Sequence, residues 1–192
     1  SIRINSPVDK IIRKNQGVEV VFKKQQKELY DRVIIATHSD QALKMIENPS
    51  NTEKQILGAI SYQTNVAHLH SDCSVLPKQK NAWASWNYFK PKKQKDETTL
   101  TYYMNMLQNL DMPKNICVSL NMGEHIDPKK IIKKIIYHHP VFTSDAILAQ
   151  KRHKEIDGAD KIHFCGAYWG SGFHEDGLNS ALSVCKSFGK SL

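Results

Sequence analysis

KIHFCGAYWGSGFHEDGLNSALSVCKSFG, residues 161–189, divides into a short apolar strand, a glycine-rich turn and an amphipathic helix. Ile162 and Phe164 supply the strand character. Gly166, Gly170, Gly172 and Gly177 carry no Cβ, so the turn lets backbone come within contact distance of a flat or anionic ligand. The helix that follows points its free N–H groups and the positive end of its dipole at the same place. Leu178, Ala181, Leu182, Cys185 and Phe188 recur at helical spacing and predict its buried stripe, and Gly189 stands where a C-terminal cap belongs. The segment reads as a ligand-binding junction.

Upstream, residues 2–36 predict an antiparallel meander with strands at 2–4, 8–13, 18–22 and 30–36. Gly17 punctuates one turn and the polar run 23–27 another. Ser39 is a good helix N-cap, Asp40 favours the dipole, and Ala42, Leu43, Met45 and Ile46 form a buried stripe. His38, between strand end and cap, reads as a loop or capping residue. Pro49–Asn51 marks a boundary, and Thr52 followed by Gln55 predicts a capping box for a short helix through Leu57. A strand-rich block follows at 60–70, 82–89, 99–106 and 116–120, carrying Tyr62, Trp83, Trp86, Tyr88, Phe89, Tyr102 and Tyr103. Asp127-Pro128 predicts a helix start, with Ile131, Ile132, Ile135 and Ile136 as its apolar stripe. Another helix is expected over 146–153, and Asp157-Gly158 turns the chain into the final strand.

The 192 residues allow one large domain or two small ones, and 40% apolar composition indicates a soluble globular chain. No apolar run is long enough to span a bilayer. The net charge of +8 raises the question of nucleic acid. The lysines collect at 23–24, 90–95 and 129–134 without interleaved stacking aromatics, which favours a lysine-rich surface over a nucleic-acid partner. Cys73, Cys117, Cys165 and Cys185 form no C-x-x-C pair, and three sit in apolar contexts. That fits reduced core thiols and a cytoplasmic location.

Phe164-Cys165-Gly166 and Ser171-Gly172-Phe173 resemble the C-terminal flavin-binding segment of the flavin-containing amine oxidase superfamily, which includes monoamine and polyamine oxidases and, more distantly, phytoene desaturases. There the stretch reads approximately FAGTE followed by WSGYMEG. GAYWGSGFHEDGLNS is most similar to a bacterial subgroup of FAD-dependent oxidoreductases. Tyr30–Thr37 is similar to the superfamily's apolar strand ending in Ala-Thr, here Ala36-Thr37, and Val8-Asp-Lys-Ile11 matches its V-x-x-I pattern. The resemblance implies a mixed α/β fold, the C-terminal part of a two-domain FAD-dependent oxidoreductase. Residues 1–47 and 140–192 would form an incomplete Rossmann-like FAD domain, and 48–139 an inserted sheet-and-helix substrate domain. The superfamily's opening strand–G-x-G-x-x-G–helix unit has no match here, so the pyrophosphate-binding part is expected in an N-terminal part of the same protein.

In that family Val8 would meet the adenine through its backbone; read by pattern alone, Val8 is a strand core residue. The expected cofactor-binding set is Val8, Ala36, Thr37, Gly166, Gly172, His174, Glu175, Asp176, Gly177 and Leu178, with backbone N–H groups of 174–178 facing the flavin pyrimidine edge. Glu175 and Asp176 read as first-turn residues favoured by the helix dipole rather than catalytic carboxylates. Phe173 matches an aromatic wall of the monoamine oxidase substrate cage, and Trp169 and Tyr168 are pocket-rim candidates; packing between domains is the alternative for all three. Tyr168 also replaces the acidic residue of FAGTE, which weakens amine specificity. Cys165 does not correspond to the covalent anchor of monoamine oxidases, so FAD is expected to be dissociable, and weakly held or absent in these residues alone. His68 and His70 alternate on one strand face but lack spaced partners, which favours a structural role over a metal pair.

The leading expectation is hydride transfer from an amine-like substrate to flavin. A flavin-dependent desaturase or isomerase of a lipid or polyenoid substrate is the second. A non-catalytic binding module that has lost FAD is the third.

Overall fold

The computed structural model describes residues 1–23, 26–90 and 98–191. Lys24, Lys92, Lys93 and Lys95 of the lysine runs, and part of the 23–27 turn, lie outside them. In chain order the strands are β1 (Val8–Lys14), β2 (Gly17–Phe22), β3 (Lys27–Tyr30), β4 (Val33–Ile35), β5 (Tyr62–His70), β6 (Trp86–Tyr88), β7 (Leu100–Tyr103), β8 (Cys117–Leu120), β9 (Ile131–Pro140) and β10 (Ile162–Phe164). The α-helices are α1 (Ser39–Met45), α2 (Asn51–Gly58), α3 (Met104–Leu107), α4 (Ser144–Lys151) and α5 (His174–Ser187). The fold is a mixture of helices and sheets. It divides into two compact units, 1–62 with 140–192, and 63–139.

In the first unit β1, β2 and β3 form an antiparallel meander. Its inward residues Ile11 and Val18 join Ile35, Ala42, Ile46, Ile56, Leu57, Ile162 and Phe164 in one core. β4 and β10 form a parallel pair of three residues each, Val33 opposite Ile162 and Ile35 opposite Phe164. Helix α2 is locked by a capping box: the Glu53 N–H donates to Ser50 Oγ (3.1 Å) and the Ser50 N–H donates to Glu53 Oε2 (2.7 Å). Glu53 is buried, and the Arg13 guanidinium pairs with its other oxygen. Residues 48–62, including α2, pack within this unit.

The second unit is a five-stranded sheet in the order β6-β7-β8-β5-β9. A buried polar seam runs through it. The Asp72 N–H donates to His70 Nδ1 (3.1 Å), so the imidazole proton sits on Nε2 and donates to Ser119 Oγ (2.8 Å), which in turn contacts Thr101 Oγ1 (2.6 Å). Burial lowers the His70 pKa against the opposing pull of Asp72, and the ring is neutral. Burial by itself would raise the Asp72 carboxyl; the N–H groups of Asp127 and Ser74 and the Lys130 ammonium outweigh it and hold the group well below the usual carboxylate range.

Several expectations fail for identifiable reasons. Residues 131–136 form strand β9, not a helix: Asp127-Pro128 opens only a single 3-10 turn (Pro128–Lys130), after which four β-branched isoleucines and pairing with β5 favour extension. Ile131 and Ile135 are half-buried on one face, while Ile132 and Ile136 stay exposed, as does the lysine pair 133–134. The strand expected at 2–4 is absent, since Ile2 and Ile4 have no neighbouring strand and are 95% and 80% exposed. The single strand expected over 30–36 is two, because Asp31 and Arg32 carry the chain from the meander into the parallel pair. Likewise 99–106 is strand only to Tyr103, and 82–89 only at 86–88. Ser50 and Glu53, not Thr52 and Gln55, make the capping box. Ser39 is the first helical residue rather than the N-cap; its N–H donates to Tyr62 Oη (2.9 Å), and His38 stacks on the Tyr62 ring at 4.4 Å without capping.

Ser50→Ala is expected to lower stability by about 1 kcal/mol in a urea titration, because one helix amide loses its acceptor. Asp72, with its folded-state pKa depressed, contributes stability above its unfolded pKa of about 4 and loses it as pH falls through the folded value. Asp72→Asn should therefore flatten the acid limb of the stability profile below about pH 4, measured by denaturation at graded pH.

Candidate functional site

β4 and β10 end side by side, and the Cys165 N–H continues their ladder by donating to Ile35 O (3.1 Å). Gly166 itself is extended and leads the chain into a turn. A Cβ on Gly166 would stand 2.4 Å from Tyr168 Cε1, so only glycine lets the Tyr168 ring fold back under the strand end. The Gly166 N–H donates to Ser180 Oγ of α5 (3.0 Å), tying the strand end to the helix. A 3-10 turn follows (Ala167–Trp169), whose exit carbonyls are gathered by one side chain: Gln150 Nε2 of α4 donates to Tyr168 O (2.9 Å) and Gly170 O (2.7 Å). On the strand side Asp157 Oδ1 accepts the Phe164 N–H (3.0 Å), and His153 Nε2 donates to Phe164 O (2.8 Å). The His153 ring also stacks on Trp169 at 4.1 Å. Burial lowers the His153 pKa, with Asp157 opposing, so the imidazole is neutral.

Beyond the turn, Asp176 Oδ2 accepts the N–H groups of Ser171 (3.1 Å) and Phe173 (2.9 Å). Phe173, the N-cap of α5, has no acceptor of its own, so only this reciprocal half of a capping box exists. The first intrahelical bond is Gly177 N–H to Phe173 O (3.2 Å). The amides of His174, Glu175 and Asp176 therefore head the helix as donors outside its ladder. At the other end, Gly189, with φ of 67°, closes a Schellman motif in which the Gly189 and Lys190 N–H groups donate to Lys186 O and Cys185 O. The stripe facing inward is Ser180 and Val184, flanked by Ala181, Leu182 and Cys185; Leu178 and Phe188 are partly exposed rather than buried.

Of the sequence-predicted residues, Gly166, Gly172, His174, Glu175, Asp176, Gly177 and Leu178 lie together at this turn and helix tip. His174 and Glu175 are exposed, and Asp176 serves as the local cap. Phe173 is 59% exposed, Trp169 half-buried, and Tyr168 buried. The Tyr168 hydroxyl and Trp169 Nε1 are buried without hydrogen-bond partners, and burial pushes the Tyr168 pKa far up. Val8, Ala36 and Thr37 line a separate apolar cleft of about 460 Å³ between the meander and β4, with Val20, Phe22, Ile34 and Met45. In the sequence Gln150 and His153 read only as part of a helix and Asp157 only as a turn residue, and none of the three is expected to support the site. Ser180 carries no signal either, because it lies off the stripe the sequence predicts for this helix. His68 and His70 bring no metal constellation together: His70 uses both ring nitrogens in the polar seam, and no cluster of three ligand-type side chains occurs among the described residues. No described helix is long and apolar enough to cross a membrane. All four cysteines are free thiols.

No protein-family model matches the chain, and no curated sequence matches it significantly. Solved structures do. A fatty acid isomerase from P. acnes that produces CLA superposes with a TM-score of 0.66 at 12% identity, over 96% of this chain and 47% of its own. Reduced UDP-galactopyranose mutase gives 0.64 at 12% identity, over 98% and 48%. Cyclohexylamine oxidase from Brevibacterium oxydans gives 0.59 at 12% identity, over 96% and 49%. The chain thus has the fold these enzymes share, and spans about half of their length.

Gly166 before the turn and Gly177 in the first turn of α5 should respond in opposite ways. Gly166→Ala is expected to destabilise the chain by roughly 1–3 kcal/mol, because the Tyr168 ring must move. Gly177→Ala, whose Cβ would meet Ala167 at an ordinary 3.8 Å, should be neutral or stabilising by up to about 1 kcal/mol. Urea titrations of both variants measure the difference.

Proposed function

We propose that the chain is the C-terminal half of an FAD-dependent oxidoreductase similar to the flavin-containing amine oxidases. The observation that carries this reading is the junction itself. A strand end, a glycine turn and the donor end of a fourteen-residue helix meet within a fold shared with an amine oxidase, an isomerase and a mutase. The unit of 1–62 and 140–192 takes the cofactor role in this reading, and the unit of 63–139 the substrate role.

The residues present fit a flavin nucleotide on three counts. The α5 tip offers donors with no internal acceptor, suited to an electron-rich pyrimidine edge. Gly166, Gly172 and Gly177 keep side chains away from the turn. The Tyr168 hydroxyl beside it is a buried polar group lacking a partner. Bound flavin would supply the hydride acceptor. The chain's own part is to hold the ring with backbone N–H groups of 174–178, to place Val8, Ala36 and Thr37 against the nucleotide, and to exclude water with Phe173 and Trp169. Asp176 acts indirectly, by fixing the Ser171 and Phe173 amides. Neither Glu175 nor His174 is given an acid–base role.

The short β4–β10 pair supports a half-domain: a parallel sheet is normally covered and continued, yet Ile34 of β4 is 48% exposed. The other half of such an enzyme would bring the strand–G-x-G-x-x-G–helix unit that holds the pyrophosphate. Similarity to a fatty acid isomerase favours a second reading in which the substrate is lipid-like rather than an amine.

The complete protein is expected to purify with FAD that acid precipitation releases into solution, while these residues alone retain little after desalting. Gly177→Val should remove the flavin absorbance of the complete protein and Gly177→Ala preserve it. Flavin retained in full by Gly177→Val would refute the helix-tip assignment.

A further inference from the structure

The second unit carries a cleft of about 590 Å³, within the range of roughly 300–1,000 Å³ typical of small-molecule sites. Its walls are two turns and an edge strand, several of whose polar groups are bonded within the chain. Trp83 Nε1 donates to Pro77 O (2.8 Å), and the Ser74 N–H donates to Asp72 Oδ1 (3.1 Å). Asn87 Oδ1 accepts the Ala84 N–H (3.2 Å), and its Nδ2 donates to Ala84 O (2.6 Å). The lining is mixed, apolar over somewhat more than half of its surface, with Lys78 and His125 among its polar groups. Leu76 and Met122 are buried at its base, and Phe89 leans on His125 with ring centroids 5.1 Å apart.

Trp86 and Tyr88 stand on one face of β6, at the edge of the sheet, and are 51% and 69% exposed. Two large rings side by side on a sheet edge are an unfavourable surface to leave in water, and such patches mark binding sites. The charge of the lining selects what covers them. Besides Tyr88, its ionisable groups are Lys78 and His125, and no carboxylate contributes to it among the described residues. Lys78 is exposed and forms no ion pair with a described residue. An amine would find π-faces here but also an opposing ammonium, and no counter-charge among the described residues. A molecule with an apolar body and an anionic group would find both needs met.

We infer that this cleft binds an apolar carboxylate, its body against Trp86, Tyr88 and Phe89 and its anionic group at Lys78. The inference is independent of flavin, since every group it uses belongs to the unit of 63–139. The same ligand class is what a lipid-like substrate would present.

The test is titration of the chain with decanoate, decanol and decylamine below their micelle concentrations, followed by tryptophan fluorescence and calorimetry. Decanoate is expected to bind saturably, at least about tenfold more tightly than decylamine, with decanol between them. Lys78→Glu, a change at an exposed position, should reverse the order of the charged pair, and Tyr88→Ala should weaken all three ligands. Equal or tighter binding of decylamine, no saturable binding of decanoate, or an order unchanged by Lys78→Glu would each overturn the inference. Flavin content of the complete protein is read separately, so failure here leaves the helix-tip assignment standing.

Discussion

The Tyr168 ring occupies the volume that any side chain at position 166 would need, and the glycine turn depends on that one packing constraint. A parallel pair of three-residue strands has little intrinsic stability, yet its end must be held firmly if a helix tip is to face a fixed point. The rigidity comes from around it. Asp157 and His153 bind both backbone groups of Phe164, Gln150 gathers two turn carbonyls, and Ser180 binds the Gly166 amide. Side chains from α4 and α5 and the connection between α4 and β10 thus converge on five backbone groups within seven residues. Without the glycine the ring moves out, and the carbonyls that Gln150 reads move with it.

The junction at residues 161–189 was legible because strand, glycines and helix each leave a local signature. The supporting residues left none: Gln150, His153 and Asp157 act through bonds that only the tertiary arrangement creates. The isoleucines of β9 show the opposite failure. Ile131, Ile132, Ile135 and Ile136 satisfy a helical period and follow a helix-start dipeptide, but β-branching and the open edge of β5 favoured extension. At α2 the signal was present and misassigned. Ser50-Asn-Thr-Glu53 is itself the capping-box pattern, two residues ahead of the pair at Thr52 and Gln55. Sheet membership was similarly hidden. Residues 30–36 read as one strand, and only the backbone partners reveal that Tyr30 ends β3 in an antiparallel meander while 33–35 form β4 in a parallel pair.

The two histidines of β5 differ although their spacing puts them on the same face. His70 is fixed as a neutral donor, since a backbone N–H occupies Nδ1 and a hydroxyl occupies Nε2. His68 packs its imidazole against Gly123, where a Cβ would lie 2.7 Å from Cε1, and its buried Nδ1 has no partner. Burial and the nearby Lys134 charge lower its pKa, so this ring too is neutral. One ring orders a polar seam while the other fills space, and alternation along a strand could not separate the two.

Carboxylates at the α5 tip raise an electrostatic question, because an electron-rich ligand there would be repelled by negative charge. The geometry answers it for Asp176. Its Oδ2 turns back onto the Ser171 and Phe173 amides, so its charge is compensated on the turn side of the helix. Glu175 is exposed, where water screens it. The amides of His174, Glu175 and Asp176 meanwhile make no intrahelical bond, so their donor capacity is not consumed by either carboxylate. The first turn therefore combines an acidic sequence, which the helix dipole favours, with a tip that still presents positive potential to whatever sits in front of it.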